Sequence, residues 1–130
     1  MLVIDTSAAL AALTANDPTP GLVERLTHDS DLHAPHLIDT EILHALRRLT
    51  MKGELTDERA ADARTDLAEL SLTRYPHHPL SDRIWELRHN LTAYDATFVA
   101  LAEMLGAPLV TSDARLAGAA HRARIELFHL

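Results

Sequence analysis

Several residue types are missing or rare. The sequence has no cysteine, which excludes disulfide bridges and thiolate metal sites, and Lys52 is its only lysine. Its five aromatic side chains leave few base-stacking platforms. Long apolar runs are also absent, since the opening apolar residues are followed at once by Asp5. We therefore expect neither a signal peptide nor a membrane span, and we expect a cytoplasmic protein without a membrane partner.

The charge balance is acidic, with a formal net charge of −7. Proteins that bind nucleic acid usually present a basic surface to the phosphates, so this balance disfavours direct RNA binding. Bound cations can reverse the local field, which leaves a metal-dependent nuclease open. Hydrophobic residues make up 47% of the 130 residues, enough for the core of a single domain over residues 1–130.

Short apolar segments alternate with helical ones. Strands are predicted at residues 2–5, 32–35, 72–75, 109–111 and 125–128. Helices are predicted from Thr6, at 18–28, from Ile38 to a stop at Gly53, and at 56–70, 79–89, 92–106 and 113–123. Thr56 is the predicted N-cap of the helix at 56–70, and the helix that Thr92 begins is predicted to end at Gly106. This alternation predicts an α/β fold with a parallel sheet covered by helices on both faces. Ligands of such sheets bind beyond the carboxyl ends of the strands, at the switch point in strand order.

Four acidic residues occupy such positions. Asp5 follows the first strand, and Asp113 follows the fourth almost directly. Glu41 is predicted in the first turn of the helix after the second strand, and Asp95 in the first turn of the helix before the fourth. If the first and fourth strands are neighbours, Asp5 and Asp113 emerge about 5 Å apart. No lysine lies near any of the four in sequence, and the only nearby arginine is Arg115. We therefore expect clustered, unpaired carboxylates, which repel one another and cost stability.

A hard cation explains such a cluster. Magnesium prefers oxygen ligands and keeps several waters, and carboxylates with neighbouring hydroxyls suit it. The hydroxyls come from Thr6, Ser7, Thr111 and Ser112.

Each acid also has a purely structural interpretation. Asp5 and Asp113 suit helix N-caps, and Thr92 with Asp95 fits a capping box. Glu41 could complement a helix dipole, and the hydroxyls could serve in caps or turns.

Four segments carry a resemblance to a known family. They are VIDTSAAL at residues 3–10, PHLIDTEI at 35–42, LTAYDATFVALAE at 91–103 and APLVTSDARL at 107–116. Together they resemble PIN-domain ribonucleases over essentially the whole chain, and VapC toxins most.

That resemblance implies a set of expectations. The fold would be an α/β/α sandwich with strand order 3-2-1-4-5. Asp5, Glu41, Asp95 and Asp113 would be the catalytic, metal-binding acids, supported by Thr6 or Ser7 and by Thr111. The cofactor would be Mg²⁺, with Mn²⁺ as the alternative. The activity would be RNA cleavage that leaves 5′-phosphate and 3′-hydroxyl ends. The protein would form a homodimer, and a VapB-type antitoxin would inhibit it.

Other interpretations remain open. One is a PIN-like binding module without catalysis; another is a different acidic-pocket, Mg²⁺-dependent phosphohydrolase. A haloacid-dehalogenase-like phosphatase is disfavoured, because Asp5-Thr6-Ser7 lacks the second acid of its D-x-D motif. A phospho-receiver domain needs a lysine after a late strand, and no lysine follows Lys52.

The remaining histidine, tryptophan and basic residues carry weaker signals. The nine histidines form no H-E-x-x-H motif, which disfavours a zinc site. Trp85 is expected in the core or an interface. The candidate cations for RNA phosphates are Arg47, Arg48, Lys52 and Arg115.

Overall fold

The computed structural model describes residues 1–14, 19–118 and 121–128. The strands are β1 (Leu2–Ile4), β2 (Leu32–Pro35), β3 (Leu72–Tyr75), β4 (Leu109–Thr111) and β5 (Ile125–Leu127). The helices are α1 (Thr6–Thr14), α2 (Leu22–His28), α3 (Leu37–Met51), α4 (Asp57–Glu69), α5 (Ser81–Glu86), α6 (Ala93–Leu105) and α7 (Ala114–Gly118), with a 3₁₀ turn at His78–Leu80.

The five strands form one parallel sheet in the order 3-2-1-4-5. In the register, Val3 of β1 lies beside His33 of β2 on one side and Leu109 of β4 on the other. The chain therefore moves outward through β2 and β3, and then returns to the other side of β1. This reversal places the switch point between β1 and β4, where a ligand cleft is expected.

Helices pack around this sheet in two groups. Helix α1 contacts α3 and α4, whereas α6 contacts β1, β2 and α5. All three residues of both β1 and β4 are buried, as expected for strands covered on both faces. The predicted α/β fold, its parallel sheet and its strand order are confirmed. None of the described helices is both long enough and apolar enough to cross a bilayer.

Helix ends follow the predicted signals. The Thr56 hydroxyl caps α4 by accepting a hydrogen bond from Arg59 N, and the Thr92 hydroxyl caps α6 in the same way from Asp95 N. Gly106 ends α6 with a φ of 62°, a left-handed conformation in which glycine has no steric penalty. These caps fix where α6 begins, and hence where Asp95 lies.

Other predicted boundaries were wrong. The helix predicted for 79–89 is a 3₁₀ turn followed by α5, which ends at Glu86. The helix predicted to reach residue 123 is described over Ala114–Gly118, and residues 121–123 are not helical; the imidazole of His121 lies 2.6 Å from the Leu116 carbonyl oxygen. The helix predicted from Pro18 begins at Leu22, and Pro18 itself lies outside the described residues.

Trp85 does not belong to the core. Its side chain is 67% exposed, and the Arg88 guanidinium lies 4.5 Å from its ring centroid. The core prediction for Trp85 is wrong, whereas its role in an interface stays a prediction.

Candidate active site

A cavity of about 610 Å³ opens at the carboxyl ends of β1 and β4. All four predicted acids line it: Asp5, Glu41, Asp95 and Asp113. They come from four separate elements or loops, so only the folded sheet brings them to one cleft. Its other lining residues are Thr6, Ser7, Leu10, Leu37, Thr40, His44, Ala45, Arg48, Tyr94, Phe98 and Leu116.

Asp5 is the most buried of the four, with only 6% of its surface exposed. Its Oδ1 accepts hydrogen bonds from the Ser7 hydroxyl at 2.7 Å and from Ala8 N at 2.9 Å, and its Oδ2 accepts one from the Thr111 hydroxyl. The bond from Ala8 N caps α1, so the structural role predicted for Asp5 is present. Burial raises the pKa of Asp5, although the Thr111 hydrogen bond opposes this shift.

Glu41 lies deeper in its helix than predicted. Helix α3 begins at Leu37, two residues after β2 ends, so Glu41 is the fifth residue and lies beyond the first turn. Because helix-dipole effects fade beyond the first turn, a dipole role explains Glu41 poorly. Its Oε1 instead accepts a hydrogen bond from the Thr6 hydroxyl at 2.7 Å, which joins α1 to α3 at the cavity.

Asp95 is the third residue of α6, in the predicted first turn. Its backbone N donates to Thr92, but its carboxylate is 33% exposed and faces the cavity. Partial burial raises the pKa of Asp95; the nearby Arg115 charge lowers it and the Asp113 charge raises it. A charged carboxylate here therefore costs stability in the metal-free protein.

Asp113 differs from the other acids because a basic side chain lies within hydrogen-bond distance of it. Arg115 donates from Nε to Oδ1 at 3.0 Å and from Nη2 to Oδ2 at 2.5 Å. Its backbone N also donates to Oδ1 at 3.0 Å, which caps α7. These hydrogen bonds lower the pKa of Asp113. The expectation of an unpaired carboxylate was wrong here, because Arg115 folds back over the turn that precedes its own helix.

The hydroxyl side chains connect the start of α1 to β4 and to the loop that follows it. The Ser7 Oγ lies 3.2 Å from Thr111 Oγ1 and accepts a hydrogen bond from Ser112 N at 2.9 Å. Thr111 Oγ1 in turn accepts one from Asp113 N at 2.9 Å. Ser7 and Thr111 thus orient Asp5 and the loop that carries Asp113. Among the described residues, the Ser112 hydroxyl is a buried side-chain oxygen without a hydrogen-bond partner.

The donor set is chemically suited to a hard cation, because carboxylate and hydroxyl oxygens are the ligands that Mg²⁺ prefers. Over residues 1–14, 19–118 and 121–128, however, no three side chains of His, Cys, Asp or Glu lie close enough together to hold a metal ion. Besides Asp5, two of the four acids are already engaged by hydrogen bonds from other side chains. Arg115 engages both oxygens of Asp113, and Thr6 engages one oxygen of Glu41. The acids face one cavity without converging on one point.

His44 and Tyr94 also line the cavity, although the sequence argument did not single them out. Thr40, His44 and Arg48 recur at intervals of four residues on α3, a spacing that places them on one helix face beside Glu41. This four-residue spacing is the sequence signal from which His44 could have been predicted as a cavity residue. Of the four candidate RNA-contacting cations, Arg48 lines the cavity and Arg115 contacts two of its acids.

Comparison with known proteins places this geometry in a family. The PIN domain family matches residues 2–122. The VapC ribonuclease Mb0985 of Mycobacterium bovis is 51% identical over 119 residues, covering 89% of this chain and 88% of that protein.

Solved structures share the fold. VapBC2 from Rickettsia felis, bound to a DNA fragment from their promoter, superposes with a TM-score of 0.72 at 13% identity and covers 98% of both chains. A toxin-antitoxin complex from Klebsiella pneumoniae gives 0.65 at 15% identity and covers 91% of this chain and 92% of that one. The sequence matches support the predicted enzyme class, a nuclease, and the chain belongs to the PIN domain family as a relative of the VapC ribonucleases.

Proposed function

We propose that this protein is a Mg²⁺-dependent endoribonuclease that acts as the toxin of a toxin–antitoxin pair, with Mn²⁺ as the alternative cofactor. One observation carries the proposal. Four carboxylates from separate parts of the chain line a single cavity at the switch point of the sheet. The family match supports it, since the M. bovis relative is named a ribonuclease.

The four acids have different surroundings and therefore different roles. Asp5 is held by three donors at the base of the cavity, which suits a metal ligand of fixed orientation. The Asp95 carboxylate is half-buried at the opening, and its raised pKa marks a site where a cation would relieve the cost of the charge. Glu41 and Asp113 complete the oxygen-lined wall, directly or through water.

The chemistry requires an activated water and stabilisation of the phosphate. Bound magnesium supplies a Lewis acid that lowers the pKa of water and offsets the charge that develops on the phosphate oxygens. The protein's own part is to hold the acids in place. Ser7 and Thr111 orient Asp5, and Thr6 orients Glu41.

RNA needs cations at the cavity edge, because the protein as a whole is acidic. Arg48 and His44 line the cavity on α3, on the same wall as Glu41. Tyr94, with 63% of its surface exposed, precedes Asp95 and offers a ring on which a base can stack. These residues make this side of the cavity the proposed path of the RNA strand.

Cleavage assays with matched variants test the activity. Asp95→Asn is the cleaner test, because the buried Asp5 accepts hydrogen bonds on both carboxylate oxygens and Asn would replace one of these acceptors with an NH₂ donor. We expect Asp95→Asn to lose at least about 100-fold in the rate of RNA cleavage with Mg²⁺, since charge stabilisation at reacting groups has that scale. The control is Asp62→Asn on the exposed part of α4. Full activity of a folded Asp95→Asn protein would refute the role of Asp95, and a wild type that binds RNA without cleaving it would support the binding-module interpretation.

Two features of the protein support an antitoxin partner: a groove on its surface and its negative net charge. The groove between α3 and α4, near the exposed Leu43, suits an apolar helix of a small partner, and the net charge of −7 suits a basic inhibitory segment. Co-expression with the product of the neighbouring reading frame should give a complex whose formation suppresses cleavage.

A homodimer is proposed as well, and light scattering of the purified protein should give twice the mass of 14.3 kDa. If the protein remains monomeric and active beside that product, both partner proposals fail.

A further inference from the structure

Arg115 contacts two of the four acids that line the cavity, Asp113 and Asp95. Its guanidinium makes a two-pronged contact with Asp113, with Nη2 2.5 Å from Oδ2 and Nε 3.0 Å from Oδ1. The same Nη2 lies 3.8 Å from Oδ2 of Asp95. One side chain therefore lies against two acids, one in α6 and one in the loop before α7, that have no other basic partner in the described ion pairs.

This contact uses the oxygens that a metal ion would need. The flat guanidinium fork matches a carboxylate and engages both of its oxygens. A divalent cation also binds through carboxylate oxygens, so Arg115 and a metal ion compete for Asp113.

The contact is placed so that it can open. The Arg115 side chain is 77% exposed, whereas the carboxylates of Asp95 and Asp113 are only 33% and 24% exposed. Ion pairs with an exposed partner are weak, because water and salt screen them and ordering a long side chain costs entropy. The guanidinium can thus leave the acids without breaking any part of the core.

We infer that Arg115 is a built-in competitor of the divalent cation, and that it becomes a phosphate-binding group once a metal ion has displaced it. The inference rests on the proposed nuclease function. In this arrangement Asp113 would bind the metal ion in place of Arg115, and Arg115 would bind an RNA phosphate in place of Asp113. Each ligand therefore favours binding of the other, as linkage between two sites requires. The free protein would hold metal weakly until RNA arrives.

Metal titration without RNA tests the competition directly. Calorimetry would compare Mg²⁺ binding by the wild type, Arg115→Gln and Arg122→Gln. Arg122 is the matched control: its side chain is 76% exposed, its Nη2 is 3.9 Å from Glu103, and its loss changes the net charge equally. We expect Arg115→Gln to bind Mg²⁺ roughly two- to fivefold more tightly than Arg122→Gln, the scale that an exposed ion pair supports. Arg115→Lys, which keeps the charge but not the fork, should show a smaller gain.

A second measurement tests the link to RNA. A short single-stranded RNA with uncleavable phosphates should tighten Mg²⁺ binding in the wild type and in Arg122→Gln, but less in Arg115→Gln. Equal Mg²⁺ affinity in Arg115→Gln and Arg122→Gln would overturn the inference and leave the proposed nuclease intact. If none of the proteins binds Mg²⁺ or Mn²⁺, the proposed metal site fails, and the inference fails with it.

Discussion

Replacing Asp95 and Asp113 separately with asparagine should shift the stability of the metal-free protein in opposite directions. Both residues line the same cavity, and the sequence predicts the same metal-binding role for both. Their surroundings differ, because burial raises the pKa of Asp95 whereas the Arg115 contact lowers that of Asp113. At neutral pH the Asp95 charge is therefore unfavourable for folding and the Asp113 charge is favourable.

The magnitudes follow from the contacts. Asparagine at 113 retains a capping oxygen for α7 but loses the ion pair with the exposed Arg115, so we expect a loss of about 0.5–1 kcal/mol. In a domain of this size that corresponds to a melting temperature about 2–4 °C lower. Asparagine at 95 removes an unfavourable charge that is a third exposed and thus partly screened, so we expect a gain of about 0.5 kcal/mol, or about 2 °C.

The pH dependence of stability tests the sign of each carboxylate's contribution independently. The Asp113 contribution is present above the ordinary value of 3.8 and is lost as the pH falls through the lower folded-state pKa. The Asp95 penalty is absent below 3.8 and appears as the pH rises through the raised folded-state pKa. The gain from Asp95→Asn should therefore be complete at pH 7 and should vanish towards pH 4.

Thermal melts in EDTA, followed by circular dichroism at several pH values, measure these shifts. Asp62→Asn, an exposed aspartate of α4, corrects for the loss of one negative charge from the whole protein. A change of the same sign in both cavity variants at pH 7 would refute the reasoning from their separate environments. So would an Asp95→Asn gain that persists unchanged at pH 4.

Other predictions concern the metal and the fold. Mg²⁺ at ten times its dissociation constant should stabilise the wild type by about 1.4 kcal/mol, and this gain in stability should be smaller in Asp95→Asn. An equal gain in both proteins would show that Asp95 is not a metal ligand. Leu101→Ala, at a fully buried position of α6, should lower the free energy of unfolding by about 3 kcal/mol in urea titrations, whereas Met104→Ala, 54% exposed on the same helix, should cost under about 0.5 kcal/mol. Thr92→Ala should cost about 1 kcal/mol in the same titrations, because Asp95 N loses its cap, and an unchanged midpoint would show that this cap contributes nothing.

Much of the fold could be predicted because its signals are local. The short apolar strands and the capping residues Thr56 and Thr92 depend on neighbours within a few positions, and the structure confirms them. Helix boundaries were predicted less well, as at α5, which follows a 3₁₀ turn and ends at Glu86, because helix ends fray and terminal turns are often 3₁₀. Glu41 was predicted in the first turn because the helix was expected to start at Ile38; α3 begins one residue earlier, a difference within the usual uncertainty of helix ends.

The sequence by itself determined the four acids, the oxygen-rich donor chemistry and the parallel sheet at whose edge they lie, since each follows from residue type and order along the chain. Only the tertiary structure decided how the acids differ. Asp5 is buried among three donors, Asp95 is half-buried, and Asp113 is paired with Arg115. The physical reason is that desolvation and charge pairing depend on distances across the fold, and residues with the same carboxyl group acquire different pKa values only when those distances are fixed.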